Sequence, residues 1–396
     1  MADGSEERVS ARAYVVNSGI LGHASVALVV ATALADAADV SVVHVNLSDA
    51  LTTRERVVRR LMCWGGRAPT NRADALTFAR WRRELHAGVL AARRLRTAEH
   101  RDGPADVLYF HTQATAWASV ARMRRTPSII SIDITQRLAS CEVAAGMRRW
   151  QYDACASRDR EVFRAARAIV ATSQWAADDL TRDLPEIGDR IHVMPYPVPM
   201  EGFATEWGAE RAARVGAVRL LFMGGDFPRK GGWDLLEAWR VAQLGPQAEL
   251  HLVTDWPLDA RQLPVGITVH AGIRSYTPAW FEQWRAADVF VLPTRGEAFG
   301  MVFQEAAAAG LPSIGTNLNA VPELVSAGET GILVPVHDPG ALAAALRQLV
   351  ADAGIRRRMG ETARRRIAQV GAPALYGARL ARLMRDVSTS QSGPTA

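Results

Sequence analysis

Short apolar runs alternate with longer helix-forming stretches along the chain. Runs of four to six residues stand at Ala13–Val16, Val40–Val45, Asp106–Phe110, Pro127–Ile132, Ala168–Ala171 and Ile191–Met194. They are near-continuous rather than alternating, which predicts strands buried on both faces of a parallel sheet. Ala24 to Ala38 and Ser157 to Ala166 read as covering helices. The stiff run Pro195-Tyr196-Pro197-Val198-Pro199 and the polar stretch Met200 to Gly216 then predict a linker. Beyond it the rhythm restarts at Val218–Met223, Glu249–Val253, Ile267–His270, Asp288–Leu292, Ser313–Thr316 and Gly331–Val334. Helices are predicted at Trp233–Gln243, Met301–Ala309 and Ala374–Asp386, with a helical region at Asn317–Ser326. The pattern describes an α/β chain of two parallel-sheet domains, residues 12–198 and 217–372, followed by a helix at 373–387. A polar leader, 1–11, and a polar tail, 388–396, flank them. A length of 396 residues fits this division, being too long for one ordinary core.

Polar and glycine residues gather where strands end, which is where ligand sites form in parallel α/β sheets. The fullest case is Val291 to Pro312: a strand stopped by Pro293, a loop Gly296–Gly300, then the helix Met301–Ala309 ended by Gly310-Leu311-Pro312. Glu297 lies in the loop and Glu305 one turn into the helix, where a carboxylate can accept from a diol such as a ribose. The N–H groups opening that helix suit phosphates or sugar hydroxyls. Gly224-Gly225-Asp226-Phe227-Pro228-Arg229-Lys230-Gly231-Gly232 follows another strand. Its glycines admit a ligand close to the backbone, and Arg229 and Lys230 can neutralise an anion. Gly19 and Gly22 follow the first strand, without the G-x-G-x-x-G spacing of a dinucleotide fingerprint. His111 and Asp133 end the third and fourth apolar runs.

Charge and cysteine content narrow the partners. A formal net charge of +6 suits anionic small molecules or an anionic membrane surface, and no Lys/Arg tract with interleaved aromatics argues for nucleic acid. Residues 51–99 are Arg-rich, with Trp64, Phe78 and Trp81 interleaved. A solvated helix face over buried aromatics is the simpler reading, and peripheral membrane contact the second. Three widely spaced cysteines show neither a disulfide framework nor zinc spacing, which points to a reducing cytoplasm. The acidic start Met-Ala-Asp-Gly-Ser-Glu-Glu is unlike a signal peptide, and Asp36 interrupts the apolar stretch Ala24–Ala38.

Glu297-x7-Glu305, within E-A-F-G-M-V-F-Q-E-A-A-A-A-G-L-P, resembles the motif of retaining, nucleotide-sugar-dependent glycosyltransferases of the GT-B family 4 type. The resemblance covers nearly the whole chain, is specific in the C-terminal half and is diffuse in residues 47–105. It implies two Rossmann-like domains facing across a cleft, an N-terminal acceptor domain, a C-terminal donor domain and a last helix crossing back to the N-terminal domain. Carried over, Glu297 lies near the transferred sugar and Glu305 binds the ribose. The N–H groups of Phe299, Gly300 and Met301 hold sugar hydroxyls. Lys230 takes the family's diphosphate lysine position. The family's usual arginine position is Gly225 here, and Arg229 is the substitute. Ile273 meets the nucleobase through its backbone, and Gly22 faces the diphosphate. Relatives often carry a histidine near the sugar at the end of the second of the two strands that end in His111 and Asp133; Asp133 stands there, a departure, and His111 or Asp133 fills the role.

The expected reaction moves a sugar from a UDP- or GDP-sugar to an acceptor hydroxyl. The nucleotide-sugar is a co-substrate, and no cofactor is expected. The sequence has no Asp-x-Asp metal motif, so protein cations are expected to replace a divalent ion. No nucleophile is evident, which favours a front-face route with retention. The alternatives are an epimerase or phosphorylase on the same scaffold, or a non-catalytic partner subunit.

Overall fold

A computed structural model describes residues 11–18, 23–35, 40–63, 78–142 and 149–389. Contacts divide the chain into two units, residues 1–196 with 373–396, and residues 197–372.

Unit 1 is built on a six-stranded sheet: β1 (Ala11–Asn17), β2 (Val40–Asn46), β3 (Val107–His111), β4 (Ser128–Ile132), β5 (Ala168–Ala171) and β6 (Ile191–Val193). The spatial order is β2-β1-β3-β4-β5-β6. All pairings are parallel. Every residue of β3, β4 and β5 is buried, the physical content of the unbroken apolar runs. Helices α1 (His23–Leu34), α2 (Thr53–Met62), α3 (Ala79–Asp102), α4 (Gln136–Glu142), α5 (Arg149–Ala165) and α6 (Gln174–Asp183) join the strands. The helix expected at Ser157–Ala166 thus starts eight residues earlier, at Arg149, in a mixed stretch of aromatic, polar and small residues with no clear apolar period. Ser173 is the N-cap of α6, its hydroxyl accepting from the Ala176 N–H.

Unit 2 repeats the plan with β7 (Val218–Met223), β8 (Ala248–Val253), β9 (Ile267–His270), β10 (Val289–Leu292), β11 (Ser313–Thr316) and β12 (Gly331–Val334). The order is β12-β11-β10-β7-β8-β9, again parallel throughout. Its helices are α7 (Trp207–Ala213), α8 (Gly232–Ala242), α9 (Pro278–Ala286), α10 (Met301–Ala308), α11 (Pro339–Ala351) and α12 (Ala353–Val370). The helical region expected at Asn317–Ser326 shrinks to one turn, Val321–Leu324. The linker expected at Met200–Gly216 is corrected: Phe203 and Trp207 are buried in the core of unit 2. Phe203 packs edge-on against Trp207, Trp280 and Phe281, with ring centroids 5.4–5.9 Å apart. Two aromatics set in a polar sequence anchor this segment, which average polarity cannot reveal.

The final helix, α13 (Pro373–Thr389), belongs to unit 1 and lies against α1. A Cβ at Gly377 would stand 1.8 Å from the Ala33 carbonyl oxygen, so only glycine lets the two backbones approach this closely. The helix runs three residues past the expected end at Asp386, into the predicted tail.

The Arg-rich segment is seen only in part; Trp64 and Arg67 lie outside the described residues. α2 is closed by a Thr52/Glu55 capping box and buries no residue, while Trp81 packs against the core of unit 1 and Phe78 is half exposed. No helix among the described residues is long and apolar enough to cross a membrane.

Candidate functional site

In each sheet the chain moves outward one way, then returns to the other side of its starting strand. The switch falls between β1 and β3 in unit 1 and between β7 and β10 in unit 2. Loops leaving the carboxyl ends of strands at such a switch form a crevice, the usual ligand position in open α/β sheets.

In unit 2 two loops meet there. The loop after β7 carries Arg229 and Lys230, and the loop after β10 carries Thr294 to Gly300. The Arg295 N–H donates to the Arg229 carbonyl at 2.8 Å. The Arg229 guanidinium donates to the Gly296 carbonyl at 2.7 Å. Gly231, at φ +74°, would place a Cβ 1.8 Å from the Pro293 carbonyl oxygen, so the loops touch where only glycine fits. Arg295 reaches Asp234 on α8 through two bonds of 2.7 and 2.6 Å, a bidentate clamp. Thr316 Oγ1 donates to the Thr294 carbonyl at 2.7 Å.

This frame brings three predicted residues together. Lys230 Nζ forms an ion pair with Glu297 Oε2, and both side chains are largely buried. Asn319 Nδ2 donates to the Glu297 carbonyl at 3.1 Å, fixing the backbone behind that carboxylate. Glu305, on the second turn of α10, is buried and accepts from the Tyr276 hydroxyl at 3.0 Å. Burial pushes the Glu305 carboxyl up to about 7, against the pull of the Tyr276 hydroxyl and the Lys230 charge. Burial and the neighbouring Glu305 charge raise the Tyr276 phenol.

The other predicted positions on this unit lie around that group. Gly300, at φ +95°, precedes α10 and Met301 opens it, while Phe299 is buried. Ile273 is half-buried on the loop after β9, three residues before Tyr276. Gly225 is exposed, and a Cβ there would meet nothing within 4 Å. Arg229 is exposed and also bonds Asp226, at 3.1 Å. Among the described residues no cluster of His, Cys, Asp and Glu could hold a metal ion.

The strand ends of unit 1 are made differently. His111 Nε2 and the Tyr196 hydroxyl are 3.0 Å apart, both buried. Burial, and then the Asp133 charge, hold the Tyr196 phenol well above 10, so Asp133 shares this corner with His111. Tyr109 and Tyr376 add further raised phenols beside it. Gly22 lies outside the described residues.

Tyr196, Tyr276 and the Arg295–Asp234 clamp were not predicted from sequence. Tyr276 stands in the loop assigned to Ile273, and Arg295 two residues before Glu297, but the bonds that give them their roles, to Glu305 and Asp234, span 29 and 61 residues. Tyr196 was hidden in a proline run that reads as linker.

Comparison with known proteins matches this arrangement. Residues 21–201 match the family model "Glycosyltransferase Family 4". Residues 217–352 match "Glycosyl transferases group 1". A D-inositol 3-phosphate glycosyltransferase of Streptomyces avermitilis is 28% identical over 292 residues, 68% of this chain and 62% of that relative's length. The sucrose-phosphate synthase of Thermosynechococcus elongatus superposes with a TM-score of 0.72 at 17% identity, covering 96% of this chain and all of that one. HepE of Anabaena, solved with UDP-glucose, superposes at 0.67 with 15% identity over 95% of this chain and 99% of that one. With two parallel-sheet units and family matches that together take in most of its length, the chain belongs to the family 4 glycosyltransferases of GT-B fold.

Proposed function

We propose that the chain moves a sugar from a nucleotide-sugar, carried on UDP or GDP, to an acceptor hydroxyl, with retention of configuration and without a metal ion. The observation that carries this reading is the meeting of Lys230, Glu297 and Glu305 at the switch between β7 and β10. Breaking the anomeric C–O bond leaves negative charge on the diphosphate. An ammonium has three donors, so Lys230 can hold Glu297 with one and the diphosphate with the others. Arg229, on the exposed side of the same loop, can turn from Asp226 toward the same charge. Glu305 receives the ribose hydroxyls, with Tyr276 fixing its orientation, and the Ile273 backbone faces the base. Glu297 and the first N–H groups of α10 hold the sugar. Preorganised charge of this kind is worth about 3–4 kcal/mol per group in acyl-transfer precedent. His111 and Asp133, on unit 1, serve the sugar or the acceptor.

Relatives supply the first compounds to test. HepE was solved with UDP and with UDP-glucose, which favours UDP as the nucleotide. Sequence relatives named for D-inositol 3-phosphate favour a phosphorylated cyclitol as the acceptor. The test is incubation with UDP- and GDP-sugars and D-inositol 3-phosphate, with and without a chelator, and product analysis by mass spectrometry and NMR. An α-linked product from an α-linked donor, formed equally with chelator, is expected. A β-linked product, or loss of turnover with chelator, contradicts the mechanism; a product formed without any acceptor contradicts the transfer.

A further inference from the structure

Unit 2 holds a second concentration of charge at the opposite, amino ends of its central strands. A pocket of about 650 Å³ opens between α7 and α12, above the turn Ala309–Gly310 that ends α10. Its position is set by Asp288 and Pro312, which stand immediately before β10 and β11, whereas Glu297 follows β10. A four-residue strand, roughly 13 Å long, therefore separates the two places.

Five arginines line the pocket: Arg211, Arg214, Arg356, Arg357 and Arg364. Two carboxylates line it with them, Asp288 and Glu361, while Glu210, Glu206 and Asp352 act on Arg211, Arg364 and Arg356 from outside the lining. Asp288 is engaged by Arg214 at 3.2 Å. Three of the other guanidinium groups donate to neutral carbonyls. Arg211 bonds the Ala309 and Gly310 oxygens at 2.6 and 3.2 Å. Arg364 bonds the carbonyls of Ala308 and Phe203. Arg356 bonds those of Leu349 and Val350 at 2.7 and 2.9 Å. Among the described residues Arg211, Arg356, Arg357 and Arg364 make no ion pair. Arg211 Nη1 is buried with no hydrogen-bond partner.

Capping of α10 accounts for part of this. Guanidinium groups on terminal carbonyls suit the negative end of a helix. Capping leaves Arg357 and the remaining Arg211 donor without a task, and it leaves open a pocket that apolar packing would have filled. The arrangement opposes its own charge in part: burial pushes Arg211 down to about 10, Asp288 and Glu210 pull the other way, and Arg214 and Arg364 add repulsion. An anion in the pocket relieves that opposition. Guanidinium forks match phosphate oxygens in pairs, and the volume is that of a small-molecule site.

We infer that this pocket binds a phosphate-bearing anion, at a site distinct from the one formed by Lys230, Glu297 and Glu305. The inference stands whether or not the proposed donor reading holds, since no residue is shared.

The test is calorimetric titration of inorganic pyrophosphate into the full chain at fixed ionic strength. Replacing the pair, Lys230→Met with Glu297→Leu, weakens the other site while sparing the fold and should leave pyrophosphate binding measurable. In that background Arg357→Glu, an exposed position that does not endanger folding, should weaken pyrophosphate at least tenfold. Arg211→Gln should weaken it further, with circular dichroism and UDP binding in the Lys230 parent as folding checks. Sedimentation with phosphatidylglycerol vesicles identifies the source: vesicle binding lost in Arg357→Glu, without pyrophosphate binding, assigns the phosphate to a lipid headgroup and supports the inference. Absence of both kinds of binding overturns it. Binding that Arg357→Glu and Arg211→Gln leave unchanged overturns it equally.

Discussion

The two sheets share one strand order around one switch point, yet their strand ends carry opposite kinds of chemistry. In unit 1 the ends of β3 and β4 meet buried phenols, and His111 lies against the Tyr196 hydroxyl at 3.0 Å. In unit 2 the ends of β7 and β10 meet ionised groups, with Lys230 held against Glu297 beside a buried Glu305. The difference teaches that the scaffold decides where side chains converge, and the loop residues decide what charge they present. In the proposed reaction the second arrangement answers the charge that develops on the ligand, because it holds a cation, Lys230, in place beforehand.

The largest effect is expected where that charge is removed. Lys230→Ala leaves Glu297 buried without its partner, a loss of about 3–5 kcal/mol in stability. Sugar transfer should fall by about 10²–10³. Replacing the pair together, Lys230→Met with Glu297→Leu, should restore much of the melting temperature but none of the activity. Recovery of activity in that double variant would erase the contrast between the two units.

Next comes the contact between the two loops. Gly231→Ala forces a Cβ to 1.8 Å from the Pro293 carbonyl at φ +74°, so it should destabilise by several kcal/mol, measured by denaturant titration. Gly225→Ala, six residues earlier and facing open space, should stay within about 0.5 kcal/mol. Equal costs at the two glycines would mean that the loops are not in contact.

These loops also mark what could be read in advance. The strands at Val218–Met223, Ile267–His270 and Ser313–Thr316 were legible to the residue, because each is a short apolar run with a polar or glycine stop. Lys230 and Glu297 were legible because each stands in a glycine-punctuated turn after a strand, and Glu305 because it follows Glu297 into the next helix. Tyr276 was not, since its bond to Glu305 joins residues 29 apart and leaves no local pattern. The Arg295 clamp to Asp234, 61 residues apart, was hidden for the same reason. Phe203 and Trp207 were lost in a stretch polar enough to pass for linker, although they pack into the core of unit 2.

A smaller, pH-dependent effect is expected at Glu305. Its folded value, about 7, lies above the ordinary 4.5, so its favourable contribution is complete below pH 4.5 and is lost as pH rises through 7. Glu305→Gln should therefore stabilise the chain at pH 8 relative to the wild type, by an amount of the order of 3 kcal/mol, and by little at pH 4. Parallel thermal unfolding at the two pH values reads this directly. A difference between the two proteins that does not change with pH would remove the burial of an ionisable carboxyl from the account.

The smallest effect belongs to unit 1. Tyr196→Phe deletes the hydroxyl beside His111 and should cost about 1 kcal/mol in stability. Nucleotide affinity should be unchanged, because the Tyr196 hydroxyl is buried against His111 and is not among the groups assigned to the nucleotide. A large loss of affinity in this variant would bring the Tyr196–His111 corner into the nucleotide site.

The central claim is that Glu305 and Lys230 serve one nucleoside diphosphate. Calorimetric titration of UDP and GDP at pH 8 into the wild type and Glu305→Ala tests it most directly. One of the two nucleotides should bind the wild type and bind Glu305→Ala at least a hundredfold more weakly, with the fold intact by circular dichroism. Equal affinity in the two proteins would contradict the claim.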